Sequence, residues 1–218
     1  MLTNQAVLFD LDGTLLDTAP DLVYTVNQLR KNTGLEALSI MQLRSKLSLG
    51  SKEMIKYALG ITENHPQFAM LRKQFLDIYQ DHIADATQFF PNMNNVLTHL
   101  EKANIPWGIV TNKPTRHTLR LLKALDLESR ALCIICGDTL SKYKPDPAPI
   151  LHACQLLKQD PKHCLFIGDS AVDVIASKAA GTQSLVALYG YIDEQENPYA
   201  WQADGYIHDP IEILKWIT

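Results

Sequence analysis

Short apolar runs recur at residues 6–10, 107–111, 132–136, 164–168 and 184–188. They lack the alternation of a half-exposed strand, and each predicts a strand buried on both faces. From residue 107 onward they alternate with stretches of helical periodicity at 115–125, 148–157 and 171–180. That alternation predicts βαβ units around a parallel sheet. The rhythm breaks between residues 18 and 86, which hold no convincing strand. There the apolar positions take helical spacing: Leu22, Val23, Val26 and Leu29; Met54, Ile55, Ala58 and Leu59; Phe68, Leu71, Phe75 and Ile78. The pattern predicts a helical domain over residues 17–86, set into a sheet domain made of residues 1–16 and 87–218. Linkers are expected around 15–17 and 87–91. Residues 190–210, rich in Tyr, Asp, Asn and Pro, read mainly as loop, and 211–217 as a short closing helix.

Composition narrows the class without naming a chemistry. The 218 residues are 46% hydrophobic and 20% charged, as in an ordinary soluble globular protein of one or two domains. A net charge of −4 supplies no basic footprint for nucleic acid. No stretch approaches the ~18 apolar residues of a membrane span. Residues 1–5 lack the basic region and apolar core of a secretory signal. Cys133, Cys136, Cys154 and Cys164 are too few for a disulfide scaffold. Cys133 and Cys136 have CxxC spacing but bracket Ile134-Ile135, so buried reduced thiols are expected rather than a metal or redox pair. The expectation is a cytoplasmic monomer or homodimer without nucleic-acid or membrane partners.

Chemistry gathers at the strand ends. The first run leads into Asp10-Leu11-Asp12-Gly13-Thr14, two carboxylates at a strand's C-terminal end, where open α/β sheets place their ligand crevice. One carboxylate can attack while the other handles a proton, and together they can hold a divalent cation, the minimum kit for phosphoryl transfer through an aspartyl-phosphate. The second run ends in Thr111-Asn112-Lys113, a hydroxyl and an amide able to donate to phosphate oxygens just before a helix. The third leads to Lys144-Pro145, a lysine with a restricted backbone that could offset negative charge beside the nucleophile. The fourth ends in Gly168-Asp169-Ser170, with Asp173 one helical turn on, able to hold a metal-bound water or the Lys144 ammonium. Singly, each has an ordinary structural explanation; in this order, four strand tips assemble one phosphate site.

With these motifs, spanning essentially the whole sequence, the chain resembles the haloacid dehalogenase-like (HAD) phosphohydrolases. The resemblance implies an α/β fold: a Rossmann-like parallel sheet core with an inserted α-helical cap. It implies Asp10 as nucleophile and Asp12 as the acid that protonates the leaving alkoxide and then activates water. Asp12 must carry its proton when the ester breaks, which burial or a neighbouring carboxylate would favour. Thr14 would orient Asp12. Mg²⁺ would be held by Asp10, the backbone carbonyl of Asp12, and Asp169, supported by Asp173. Thr111, Asn112 and Lys144 would bind the transferring phosphoryl oxygens of a small phosphorylated metabolite.

Asp17-Thr18-Ala19-Pro20-Asp21-Leu22, Thr111-Asn112-Lys113-Pro114 and Lys144-Pro145-Asp146-Pro147 look like the phosphoglycolate phosphatase branch. The tail, with Tyr189-Gly190-Tyr191, Asn197-Pro198 and Trp201, is similar to relatives that hydrolyse N-acetylmuramic acid 6-phosphate in peptidoglycan recycling, although Tyr199 and Trp201 serve equally well as packing residues. Gly50, Ser51 and Lys52 fall at the family's cap specificity loop, where Lys52 could meet a substrate carboxylate. The plainer alternative is that Ser51 caps the next helix and Lys52 is solvated. Among rivals, sugar phosphomutases of the family usually carry Val at the Thr14 position and His at the Leu22 position. A dehalogenase needs no metal. A phospho-Asp signalling module has no inserted cap.

Overall fold

The computed structural model describes residues 5–217; residues 1–4, which include most of the stretch read for a signal, and residue 218 lie outside them. In chain order the elements are β1 (Ala6–Phe9), β2 (Leu16–Asp17), α1 (Ala19–Asn32), α2 (Ile40–Leu43), a 3-10 turn (Arg44–Leu49), α3 (Gly50–Leu59) and α4 (Phe68–Asp81). They continue with β3 (Gln88–Phe89), α5 (Met93–Lys102), β4 (Trp107–Val110), α6 (Thr115–Ala124), β5 (Ile134–Ile135) and α7 (Ala148–Leu156). The last are β6 (Cys164–Gly168), α8 (Ala171–Ala180), β7 (Gln183–Ala187) and β8 (Gly205–Ile207), then a 3-10 turn over Pro210–Trp216.

The main sheet is six-stranded in the order β5-β4-β1-β6-β7-β8, and every pairing in it is parallel. β1 lies at its centre, with Phe9 opposite Ile109 on one side and Ile167 on the other. The chain builds outward from β1 through β4 to β5, then returns to build β6, β7 and β8 on the other side. The topological switch therefore falls at β1, and the crevice opens where β1, β4 and β6 end. β1, β4 and β6 are buried along their whole length, which is why they read as continuous apolar runs.

Two sequence expectations need correction. The tail contains a sixth strand: β8 pairs parallel with β7, Leu185 opposite Gly205. Three residues bounded by Asp204 and His208 carry too little periodicity to announce it. The closing segment is a short helix as expected, in 3-10 form over Pro210–Trp216, with Asp209 accepting from Ile211 N at its start. The third run shortens to two strand residues, Ile134 and Ile135, with Cys133 O still accepting from Ile109 N, and the Cys133 and Cys136 thiols are free and buried as expected.

The segment from α1 to α4 is helical, as its spacing predicted, and buries Leu22, Val26, Leu29, Met54, Ile55, Phe68, Leu71 and Phe75. Tyr79 rather than Ile78 completes the buried face of α4. Its two connections to the sheet pair as an antiparallel ribbon, Leu16 opposite Phe89 and Asp17 opposite Gln88. No helix among the described residues is long and apolar enough to cross a membrane.

Candidate active site

The first strand delivers Asp10 to the crevice, and the chain then turns at Gly13 with φ +86°. A side chain there would be strained, and its Cβ would stand 2.2 Å from Asp169 Oδ2. Glycine thus lets the first carboxylate loop pack against the β6 tip. Gly190 makes the same allowance from the tail, where a Cβ would lie 2.3 Å from Asp169 Cβ.

Asp10, Asp169 and Asp173 present carboxylate oxygens that all lie within 4.8 Å of one another. Lys144 inserts among them, with Nζ 2.7 Å from Asp10 Oδ1 and 2.6 Å from Asp173 Oδ1. Its side chain is only 2% exposed. Burial works against the Lys144 charge, but the Asp10 and Asp173 carboxylates outweigh it and raise its pKa. Asp10 is pushed up to about 6, chiefly by burial, with Lys144 opposing and Asp173 reinforcing. Asp169 is raised well above the ordinary carboxylate range by burial and by Asp10 and Asp173. Lys144 thus bonds two of the three carboxyl groups, and the cluster offers oxygen donors only. That donor set fits a hard divalent cation such as Mg²⁺.

The supporting bonds differ from expectation at Thr14. Thr14 Oγ1 donates to Asp169 Oδ1 at 3.3 Å, whereas Thr18 Oγ1 donates to Asp12 Oδ1 at 2.7 Å. Orienting Asp12 therefore falls to Thr18. The Asp12 side chain is 16% exposed, and beside Thr18 it meets the Lys113 ammonium, at 2.9 and 3.1 Å from its two oxygens. Asp173 cements the start of α8, accepting from Ser170 N and Ser170 Oγ, and Tyr191 N donates to Asp169 Oδ2 at 2.7 Å.

Thr111 sits buried at the β4 tip, and its Oγ1 accepts from Lys113 N at 3.2 Å. Asn112 spends both ends of its amide on Lys144: Nδ2 donates to Lys144 O at 2.8 Å and Oδ1 accepts from Lys144 N at 3.0 Å. Its side chain anchors the lysine rather than standing free towards a phosphate.

The helical segment reaches this side of the sheet through Arg44 and Lys46. Arg44 donates to Tyr189 O at 2.9 Å and Gly190 O at 3.3 Å, and Lys46 pairs with Asp193 at 2.8 Å. A cleft of about 660 Å³ lies beside them, lined by Met41, Arg44 and Ser45 against Tyr189, Gly190 and Asp193. Of the residues expected there, Lys52 pairs with Glu63 within the helical segment, its side chain 53% exposed. Ser51 accepts from Arg72, and Gly50 takes φ +82° where α3 begins. Ser51 makes no cap, since the residue before α3 is Leu49. Asn197 caps the turn that carries Tyr199 and Trp201. Tyr199 packs at a tilt against Tyr206, ring centroids 4.6 Å apart, so Tyr199 serves as a packing residue.

Nothing in the sequence alone marks Lys113, Thr18, Tyr79 or Arg44 as holding a catalytic side chain. Lys113 lay in plain view beside Thr111-Asn112, but nothing in the sequence distinguished it from a solvated lysine.

The haloacid dehalogenase-like hydrolase family matches this chain over residues 7–187. An N-acetylmuramic acid 6-phosphate phosphatase of Pseudomonas aeruginosa is 39% identical over 210 residues, 96% of this chain and 93% of that protein. A phosphoglycolate phosphatase of Xanthomonas campestris pv. campestris is 38% identical over 211 residues, 97% of this chain and 95% of that protein. Among solved structures, one described as a predicted phosphoglycolate phosphatase of Haemophilus somnus superposes with a TM-score of 0.87 at 28% identity, covering 97% of both chains. Fold, motif order and these similarities agree, and the chain belongs to the haloacid dehalogenase-like hydrolases.

Proposed function

We propose that the protein is a Mg²⁺-dependent phosphatase that hydrolyses a small carboxylated phosphomonoester through a phosphorylated Asp10. The observation that carries this is the pairing of Asp10 with Lys144, beside Asp169 and Asp173, in the crevice at the sheet's switch point. An Asp10 carboxylate oxygen attacks phosphorus, the ester P–O bond breaks, and the leaving alkoxide takes a proton from Asp12. Asp12 then removes a proton from water, which attacks phosphorus, and the Asp10–phosphorus bond breaks to release inorganic phosphate. Lys144 offsets the charge of the arriving phosphoryl oxygens, assisted by the Thr111 hydroxyl. Asp10 and Asp169, with the Asp12 backbone carbonyl and support from Asp173, would hold Mg²⁺, which supplies further compensation for phosphoryl charge.

We read residues 17–86 as a cap over a core of 1–16 and 87–218, and the location as cytoplasmic. Phosphoglycolate is the first substrate to test. N-acetylmuramic acid 6-phosphate is the second, favoured by the 39% identical relative of that name. The test is kcat/KM with Mg²⁺ on both esters, with Asp10→Asn beside the wild type. Asp10→Asn should lower turnover by roughly 10⁴-fold or more. Turnover that survives the substitution removes Asp10 as nucleophile, and preference for either ester assigns the leaving group.

A further inference from the structure

Lys113 is bonded outside the nucleophile cluster. Its Nζ touches both Asp12 oxygens and, on its far side, Tyr79 Oη at 2.7 Å. Its side chain is 8% exposed. The backbone around it is fixed: Lys113 N donates to Thr111 Oγ1, and Lys113 O accepts from Gly137 N and Thr118 Oγ1. Tyr79 belongs to α4, in the inserted helical segment, where its ring lies against Phe75 and His117. The ammonium also stands over the Tyr79 ring, 4.6 Å from the centroid. Asp12 is thus gripped from two directions, by Thr18 where the chain enters α1 and by Lys113 from the sheet, and a helix of the insertion holds Lys113 from behind.

We infer that Lys113 and Tyr79 are positioning residues that set the Asp12 carboxyl for proton transfer and make its placement depend on where α4 docks. A buried ammonium that loses one acceptor turns more fully to the others or to water, so withdrawal of α4 reaches Asp12 through a single side chain. Seating of the insertion would therefore assemble the acid–base group as well as exclude water. This inference rests on the phosphatase reading, because it assigns Asp12 the leaving-group proton.

Leaving groups provide the test. An alkyl ester needs the Asp12 proton, whereas p-nitrophenolate departs without one. kcat/KM reports the steps up to that departure. Lys113→Met, Lys113→Arg and Tyr79→Phe are compared with wild type on p-nitrophenyl phosphate and on whichever alkyl ester the wild type prefers. Lys113→Met should lower kcat on the alkyl ester by about 10²-fold or more with little change in KM, and cost p-nitrophenyl phosphate less than about 10-fold in kcat/KM. Tyr79→Phe should show a smaller loss of the same pattern, and Lys113→Arg a partial recovery. A rise in KM at unchanged kcat makes Lys113 a substrate-binding group and overturns the inference. Equal losses on both esters in Lys113→Arg and Tyr79→Phe, with thermal midpoints intact, overturn it too. A wild type that turns over no ester with Mg²⁺ removes the phosphatase reading itself, and the inference with it.

Discussion

The Asp21 carboxylate, near the start of α1, closes on Thr87 where the chain returns to the sheet: Oδ2 accepts from Thr87 N at 2.9 Å and Thr87 Oγ1 at 2.6 Å, while Oδ1 accepts from Ala86 N. The two ends of the helical insertion are thereby tied by one buried side chain, 2% exposed. Asp21→Ala strips the partners from two backbone N–H groups and a hydroxyl. The expected loss is about 2–5 kcal/mol, read as a lower urea midpoint. A loss under about 0.5 kcal/mol, the level of an ordinary surface change, would show the tie to be energetically idle.

The buried carboxylates make a linked prediction about pH and magnesium. Asp10 binds its proton more tightly folded than unfolded, about 6 against 3.8, because burial penalises the charge. Its contribution to stability is therefore full below pH 3.8 and lost as pH rises through about 6. In magnesium-free buffer at pH 7.5, Asp10→Asn should stabilise the fold by about 1–3 kcal/mol while abolishing turnover. Protons compete with the metal at the same oxygens, so Mg²⁺ should raise the wild-type melting temperature more at pH 7.5 than at pH 5. Equal Mg²⁺ shifts at both pH values would count against these carboxylates as the metal site.

Lys144 carries the opposite charge in the same cluster. Lys144→Met leaves Asp10 and Asp173 buried without their ammonium and should cost about 3–5 kcal/mol at pH 7.5. Part of that loss should be absent at pH 5, where Asp10 is protonated. Calorimetric scans at the two pH values, with and without Mg²⁺, measure it. A loss independent of pH would mean that packing, not charge, is what Lys144 supplies.

Specificity at the insertion should follow Arg44 rather than Lys52. Arg44 bonds the carbonyls of Tyr189 and Gly190 beside Asp169 and stacks 5.2 Å over the Tyr191 ring. Lys52 is spent on Glu63 at the surface. Arg44→Ala should raise KM by about 10-fold or more and Lys52→Ala by less than about 2-fold, since exposed ion pairs contribute little. The reverse ranking in steady-state assays would return the specificity role to Lys52.

Much of the site was legible because its groups sit at strand tips. Asp10, Thr111 and Asp169 follow continuous apolar runs, and burial on both faces produces such runs. Lys144 was legible through Pro145, and Asp173 through its helical spacing from Asp169. What escaped depends on contacts between residues far apart in the chain. Thr14 is the nearer of the two threonines to Asp12 in sequence, yet the turn at Gly13 sends it to Asp169 and leaves Asp12 to Thr18. Lys113 meets Tyr79 34 residues away. Strand β8 is stabilised by the edge of β7, not by its own pattern.

By itself the sequence determined a parallel sheet interrupted by a helical insertion, and the set of acidic, hydroxyl and ammonium groups at the strand ends. Periodicity and strand-end position are local properties, written into short stretches of chain. Tertiary structure alone decided how the charges are shared: Lys144 to Asp10 and Asp173, Lys113 to Asp12, Asn112 to the Lys144 backbone, Arg44 to the carbonyls of Tyr189 and Gly190, and Lys52 to Glu63. Each pairing is settled by distances of a few ångströms between segments that only the packed fold brings together, in a buried setting where an unpaired charge is costly.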